Sequence, residues 1–264
     1  MRFSITLRAN INAFGRRLPL NYQYELSAVV YRILASANET FALWLHDNGF
    51  RLENAKTFKL FTFSRLKPQK YRILPKLTQM ELQSELVEWQ ISFLPGNSTQ
   101  RFIEGLFQNR VFEVGNKQSV VQFQVENISM MPSPECTAKM QFETLSPITV
   151  SQRLEDGRDH YPQDVEEFAN SSWVKERLLQ NLLDKYESFY GNPFNGERYF
   201  DLMVLSEPKS SLVTIKANTP QETKVRGFMC KFAMHCPVEL MKIAYESGLG
   251  EDNSQGFGCL GKID

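Results

Sequence analysis

Two prolines separated by one residue, in Met130-Met131-Pro132-Ser133-Pro134, divide the 264-residue chain near its middle. Neither a helix nor a central strand runs through such a pair, because each proline removes an amide donor and fixes φ. The segment predicts a boundary, with one unit over residues 1–133 and another over 134–264, each long enough to bury a core of its own.

The apolar patterning on the two sides repeats one order. Met1 to Leu7 alternates as a half-buried strand does. Asn21 is a candidate cap for a helix to about Leu34 with Leu26, Val29, Val30 and Ile33 on its core stripe, and Asn38 caps a shorter helix, Glu39 to Asp47, that Asn48-Gly49 ends. Strands follow over Phe58 to Phe63, Tyr71 to Leu74 and Leu86 to Leu94. Pro95-Gly96-Asn97-Ser98 introduces a helix with Phe102, Ile103, Leu106 and Phe107 on one face, and Val111 to Val125 closes the unit with strands around Gly115-Asn116. The second unit reads as a strand at Ala138 to Thr144, a helical region from Asp164 to Tyr190, and strands near Phe200 to Leu205, Leu212 to Lys216 and Val225 to Met234. A helix from Pro237 to about Ser247 and a strand at Gly258 to Ile263 complete it. Strand, helix, two strands, helix, strand is the split βαβ arrangement. The expected class is therefore α+β, two tandem ferredoxin-like (RRM-like, βαββαβ) domains. That architecture hosts RNA recognition and many unrelated functions, so it names none.

No apolar run approaches the roughly 20 residues that span a bilayer, and the alternating N-terminal strand is unlike a secretion signal, so a cytoplasmic protein with no membrane partner is expected. Cys136, Cys230, Cys236 and Cys259 form no C-x-x-C pair and read as reduced, buried thiols. His235-Cys236 lacks the further ligands of a metal site, and Glu251-Asp252 alone makes no carboxylate cluster, so no metal and no cofactor is expected. Thirty basic residues balance thirty acidic ones, so any nucleic-acid footprint must be local. Arg51, Lys56, Lys59, Arg65, Lys67, Lys70, Arg72 and Lys76 face only Glu53 in their stretch and interleave with Phe58, Phe61, Phe63 and Tyr71. Such a stretch suits phosphates and bases, although a solvated basic surface has the same composition.

The densest motif is Gly248-Leu249-Gly250-Glu251-Asp252-Asn253-Ser254-Gln255-Gly256-Phe257-Gly258, placed after a helix and before the last strand. It lacks the Gly-Lys-Ser/Thr ending of a P-loop, and it follows a helix where a dinucleotide fingerprint would open one. Its unshielded backbone amides could approach a phosphate or shape a tight turn. This motif resembles the C-terminal glycine-rich signature of the CRISPR-associated endoribonucleases that process repeat RNA, members of the RAMP superfamily. The resemblance extends to Met1-Arg2-Phe3, Leu20-Asn21-Tyr22-Gln23-Tyr24, Tyr31, Leu45-His46, Lys59-Leu60-Phe61-Thr62-Phe63 and Thr144-Leu145-Ser146-Pro147-Ile148.

The resemblance implies a metal-independent endoribonuclease acting on CRISPR precursor RNA. The RNA 2′-hydroxyl attacks the adjacent phosphorus, leaving a 2′,3′-cyclic phosphate and a 5′-hydroxyl. A tyrosine, a histidine and a lysine of the family map onto Tyr31, His46 and Lys59. From the residues alone, Tyr31 lies on the flank of its helix, His46 sits at a helix C-terminus beside Asp47 where dipole and carboxylate favour an imidazolium, and Lys59 opens an alternating strand with Lys56 as its rival. Lys56, Arg65, Lys67, Lys70, Gly248, Gly250, Asn253, Ser254, Gly256 and Gly258 are the expected RNA-binding set. A non-catalytic RAMP-type subunit of a CRISPR effector complex is the rival. Contacts with other effector subunits or with a second copy of the chain stay open, because family members differ.

Overall fold

The computed structural model describes residues 1–53, 56–217 and 219–263. Its first sheet orders the strands Val111–Gly115, Val120–Met131, Arg2–Asn10, Leu86–Phe93 and Phe61–Phe63, all antiparallel. With the edge strand Val111–Gly115 set aside, the chain's fourth, first, third and second strands lie side by side, which is the ferredoxin-like order. Helices α1 (Gln23–Ala37) and α3 (Asn97–Gln108) cover one face. They close tightly because Gly105 has no Cβ, which would collide with the Ile33 carbonyl. Beneath them Trp89 meets Phe63, Phe102 and Phe112 edge-on in a fully apolar core. Between α1 and the sheet's second strand lies α2 (Glu39–Asp47), begun by Asn38, whose Oδ1 accepts from Phe41 N at 2.7 Å.

The second sheet orders Asp201–Val204, Lys231–His235, Lys139–Thr144 and Leu260–Lys262, again second, third, first, fourth. Its helices are α4 (Val165–Asn170), α5 (Ser172–Tyr190) and α6 (Val238–Ser247). The hairpin Lys209–Ile215/Thr223–Met229 is an insertion between its second and third strands. Two ferredoxin-like domains in tandem are thus present. Arg2 joins them, buried to 3% exposure, donating to the Leu260 carbonyl and, at 2.7 Å, to that of Tyr245.

The structure departs from the patterning in several places, each with a local cause. Helix α1 starts at Gln23 with Tyr22, not Asn21, in the capping position; Tyr22 turns inward, where its hydroxyl accepts from Leu66 N at 2.9 Å. The Phe58–Phe63 run is two short strands interrupted at Leu60, whose φ of +52° takes it out of extended geometry. Lys59 therefore sits in the break rather than opening a strand. The region Asp164–Tyr190 is two helices separated at Ser171, and Val225–Met234 is two strands that meet at Cys230. Phe107 faces solvent at 61% exposure because α3 turns Ser98, Thr99, Phe102, Gly105 and Leu106 inward and leaves Phe107 on the outer face.

Candidate active site

Three elements of the first domain and one loop of the second converge. Tyr31 projects from the flank of α1, its ring edge-on to His46 with centroids 5.2 Å apart and edge-on to Phe61 at 5.8 Å. His46 occupies the last turn of α2, with its side chain 65% exposed and Nδ1 2.8 Å from Asp47 Oδ1. A carboxylate on Nδ1 favours the tautomer that carries its hydrogen there and leaves Nε2 on the other side of the ring. Lys59 Nζ donates to the His46 carbonyl at 2.6 Å, capping the open end of α2. Partial burial lowers the Lys59 pKa, opposed by the charge of Asp47. Lys56 turns to the second domain. Its ammonium meets Asp184 of α5 at 2.7 Å, so Lys59 and not Lys56 stands against His46.

The Gly248–Gly258 loop comes up to this group from the second domain. Burial pushes the Tyr31 phenol up to about 12, partly offset by a hydrogen bond from the Ser254 side chain. The Ser254 carbonyl accepts from Ser27 Oγ of α1 at 2.6 Å, and the Phe257 carbonyl accepts from Thr62 Oγ1 at 2.8 Å. The Thr144–Ile148 segment braces the loop from below, with Gly258 N on Pro147 O at 2.7 Å and Leu145 N on Cys259 O at 2.7 Å. The glycines are required by packing as much as by conformation. At Gly256, φ is +90° and a Cβ would lie 2.7 Å from the Phe63 ring; at Gly258, φ is +69° and a Cβ would strike the Leu249 carbonyl. Asn253 is buried to 8% exposure, its amide donating to Phe257 O at 3.1 Å, so its side chain serves the loop's own shape. Asn253, Ser254 and Gln255 line a cavity of about 420 Å³ together with Lys56, Lys59, Tyr161, Asp252 and Lys185. Burial raises the Asp252 carboxyl to about 6, with Glu251 adding to the shift.

The basic stretch divides. Arg65 is half-buried, its guanidinium donating to Ser211 Oγ at 2.6 Å across the domain boundary, and it lines a cavity of about 620 Å³ with Lys67, Tyr71 and Leu212. Lys67 is 83% exposed with Glu88 3.9 Å away, and Lys70 is exposed on the same side. Neither lines the cavity beside Lys59, so the structure separates a basic rim from the Tyr31–His46–Lys59 group. Among the described residues, no three His, Cys, Asp or Glu side chains gather as a metal-ligand set.

Lys185 is a site residue that the sequence patterning passes over. It is 2% exposed, and its Nζ donates to Gly248 O at 2.8 Å, Gly250 O at 2.9 Å and Asn253 Oδ1 at 2.6 Å. A signal was present: Val174, Leu178, Leu182 and Lys185 share one face of α5, so a lysine stands where the stripe calls for an apolar side chain.

Tandem ferredoxin-like domains that enclose a tyrosine, a histidine and a lysine under a glycine-rich loop define a class of RNA-handling proteins, and comparison narrows it. The family description "CRISPR-associated protein Cas6, N-terminal" matches residues 17–129, and "CRISPR associated protein Cas6, C-terminal" matches residues 131–261. The chain belongs to the Cas6 family. It is 30% identical over 249 residues to CRISPR-associated endoribonuclease Cas6 1 of Methanocaldococcus jannaschii, covering 94% of this chain and 88% of that protein. It is 28% identical to CRISPR-associated endoribonuclease Cas6 of Pyrococcus furiosus, covering 98% and 89%. A solved RAMP protein described as binding different RNA substrates superposes over the whole of both chains with a TM-score of 0.80 at 26% identity. No helix among the described residues is long and apolar enough to cross a membrane.

Proposed function

We propose that this chain binds the repeat RNA of a CRISPR precursor transcript in the cytoplasm and cuts it without a metal, through the RNA's own 2′-hydroxyl. The observation that carries this is the junction of Tyr31, His46 and Lys59, where an imidazole meets a phenol edge-on and a cation bonds the histidine's own backbone. In-line attack requires loss of the 2′-hydroxyl proton, stabilisation of the phosphorane and protonation of the departing 5′-oxygen. His46 Nε2 is the free proton-exchanging atom. The Lys59 ammonium spends one hydrogen on the His46 carbonyl and keeps two for phosphate oxygens. Tyr31, kept protonated by burial, contributes a hydroxyl donor and not a phenolate base. Around this centre the exposed Lys67 and Lys70 and the half-buried Arg65 supply charge for the RNA backbone away from the cut. The glycine-rich loop contributes through Ser254 and backbone groups.

Incubating the purified protein with repeat RNA in EDTA, and identifying the ends, tests this. One cut leaving a 2′,3′-cyclic phosphate and a 5′-hydroxyl is the expected result. RNA that is bound but never cut, with or without divalent metal, would make the chain a binding subunit. Cleavage only on adding metal would overturn the mechanism.

A further inference from the structure

Helix α5 reaches the site with two consecutive side chains that the reaction scheme leaves unused. Asp184 holds Lys56, three residues before Lys59, through the 2.7 Å ion pair. Lys185 points the other way, into the glycine-rich loop, and is the loop's buried cation.

An ammonium has three hydrogens, and Lys185 places them on three acceptors: Gly248 O, Gly250 O and Asn253 Oδ1, at 2.8, 2.9 and 2.6 Å. Both glycines have positive φ, +94° and +79°, which turns their carbonyls inward to meet one point rather than outward to water. Asn253, held by its oxygen, uses its amide to tie Phe257 O across the loop. The next residue is Ser254, whose carbonyl accepts from Ser27 Oγ of α1, the helix that carries Tyr31 one turn further on. Tyr31 in turn lies edge-on to His46. The contacts form an unbroken series from the interior of α5 to the imidazole.

We propose that Lys185 is a positioning residue for RNA cleavage, fixing the glycine-rich loop from beneath so that its bond to Ser27 sets α1, and with it Tyr31, against His46. This rests on the cleavage mechanism above. Lys185 is 2% exposed at the floor of the cavity that Lys59 also lines, with its ammonium turned onto the loop's own oxygens. Its effect passes through the loop, and it belongs to the second domain while the imidazole, phenol and Lys59 belong to the first. Burial of this ammonium, with the Lys56 charge acting in the same direction and Glu251 and Asp184 opposing, lowers its pKa to about 7. The three oxygen acceptors favour the charged form and work against that shift.

Lys185→Met keeps the length of the stem and removes the donors. Repeat RNA should bind within a few-fold of the parent, while the single-turnover rate at saturating enzyme falls on the order of 10- to 100-fold, as a small misplacement of reacting groups does. Amide hydrogen exchange should accelerate across 248–258 and stay unchanged in the strands of both sheets. A folded variant that cuts at the parent rate overturns the proposal, and so does one whose loss is confined to binding. If Lys185→Met fails to fold, Asn253→Ala leaves the ammonium and removes its third acceptor together with the amide bonds to Phe257 O and Leu249 O, and the same two outcomes decide. A parent protein that leaves repeat RNA uncut would instead overturn the mechanism. Exchange in the loop would then still report whether Lys185 holds it.

Discussion

Lys59 Nζ donates to the backbone carbonyl of His46 at 2.6 Å, so the cation and the imidazole are tied through the end of one helix rather than through their side chains. The bond does two things at once. It satisfies an open carbonyl of α2 and brings an ammonium to the residue that carries the imidazole. Lys56, three residues earlier, is committed to Asp184 of the other domain. Lys59→Ala should therefore lower the single-turnover rate by about 10²-fold or more, the range for removing a charge that stabilises the transition state. Lys56→Ala should cost far less. Equal losses in the two variants would show that the lysine beside His46 has no special part.

His46→Ala should reduce the single-turnover rate by on the order of 10²-fold or more while repeat RNA still binds, as loss of a general acid or base does. Tyr31→Phe is the milder companion, because it keeps the ring edge against His46 and deletes only the hydroxyl. A fall of roughly tenfold in rate is expected for a single hydrogen-bond donor. With the phenol pushed up to about 12, no ionisation of Tyr31 should enter the pH–rate profile below about pH 10. Cleavage by His46→Ala at the parent rate would remove the imidazole from the mechanism.

The basic rim is separable from the chemistry. Lys67 is 83% exposed and makes only a 3.9 Å approach to Glu88, and Lys70 is exposed nearby. Replacing both with alanine should weaken RNA binding and flatten its salt dependence by up to roughly 0.7 log unit per lost single-strand phosphate contact. The rate at saturating enzyme should hold. Unchanged affinity at every salt concentration would identify this rim as plain solvated surface.

Lys185 should also couple stability to pH in the absence of RNA. Its pKa falls from an ordinary 10.5 in the unfolded chain to about 7 in the fold. Between those values the unfolded chain holds a proton that the native protein has released, so unfolding takes up a proton and rising pH favours the fold. Denaturant titrations from about pH 7 to pH 10 should show the parent gaining on Lys185→Met by up to about 1.4 kcal/mol per pH unit. A difference that does not change with pH would show that Lys185 keeps its charge in the folded state.

Much of this architecture was legible because its determinants are local. Asn38 capping Glu39–Asp47, Gly191 ending α5, and the strand-helix order on each side of Pro132 and Pro134 depend on neighbours in sequence. Strand order was legible only through that repeat. Leu60 could not be read, since a leucine at φ +52° is forced by what surrounds it. The glycine-rich motif was visible as a loop, but its glycines answer to Phe63 and the Leu249 carbonyl, contacts that no spacing rule encodes. Its Asn253 looked like a ligand for RNA and in the structure braces the loop. Tyr31, His46 and Lys59 came from resemblance, and their convergence from three elements is tertiary.

The whole mechanism turns on the nucleophile belonging to the RNA. A repeat RNA carrying a single 2′-deoxy sugar immediately upstream of the cut, mixed with excess protein in EDTA, removes that nucleophile and nothing else. The deoxy substrate should bind as the all-ribose RNA does and stay intact while the ribose RNA is cut at one position. Cleavage of the deoxy substrate at that position would mean that water or a protein group attacks phosphorus, and would contradict the roles of Tyr31, His46 and Lys59 in assisting the 2′-hydroxyl.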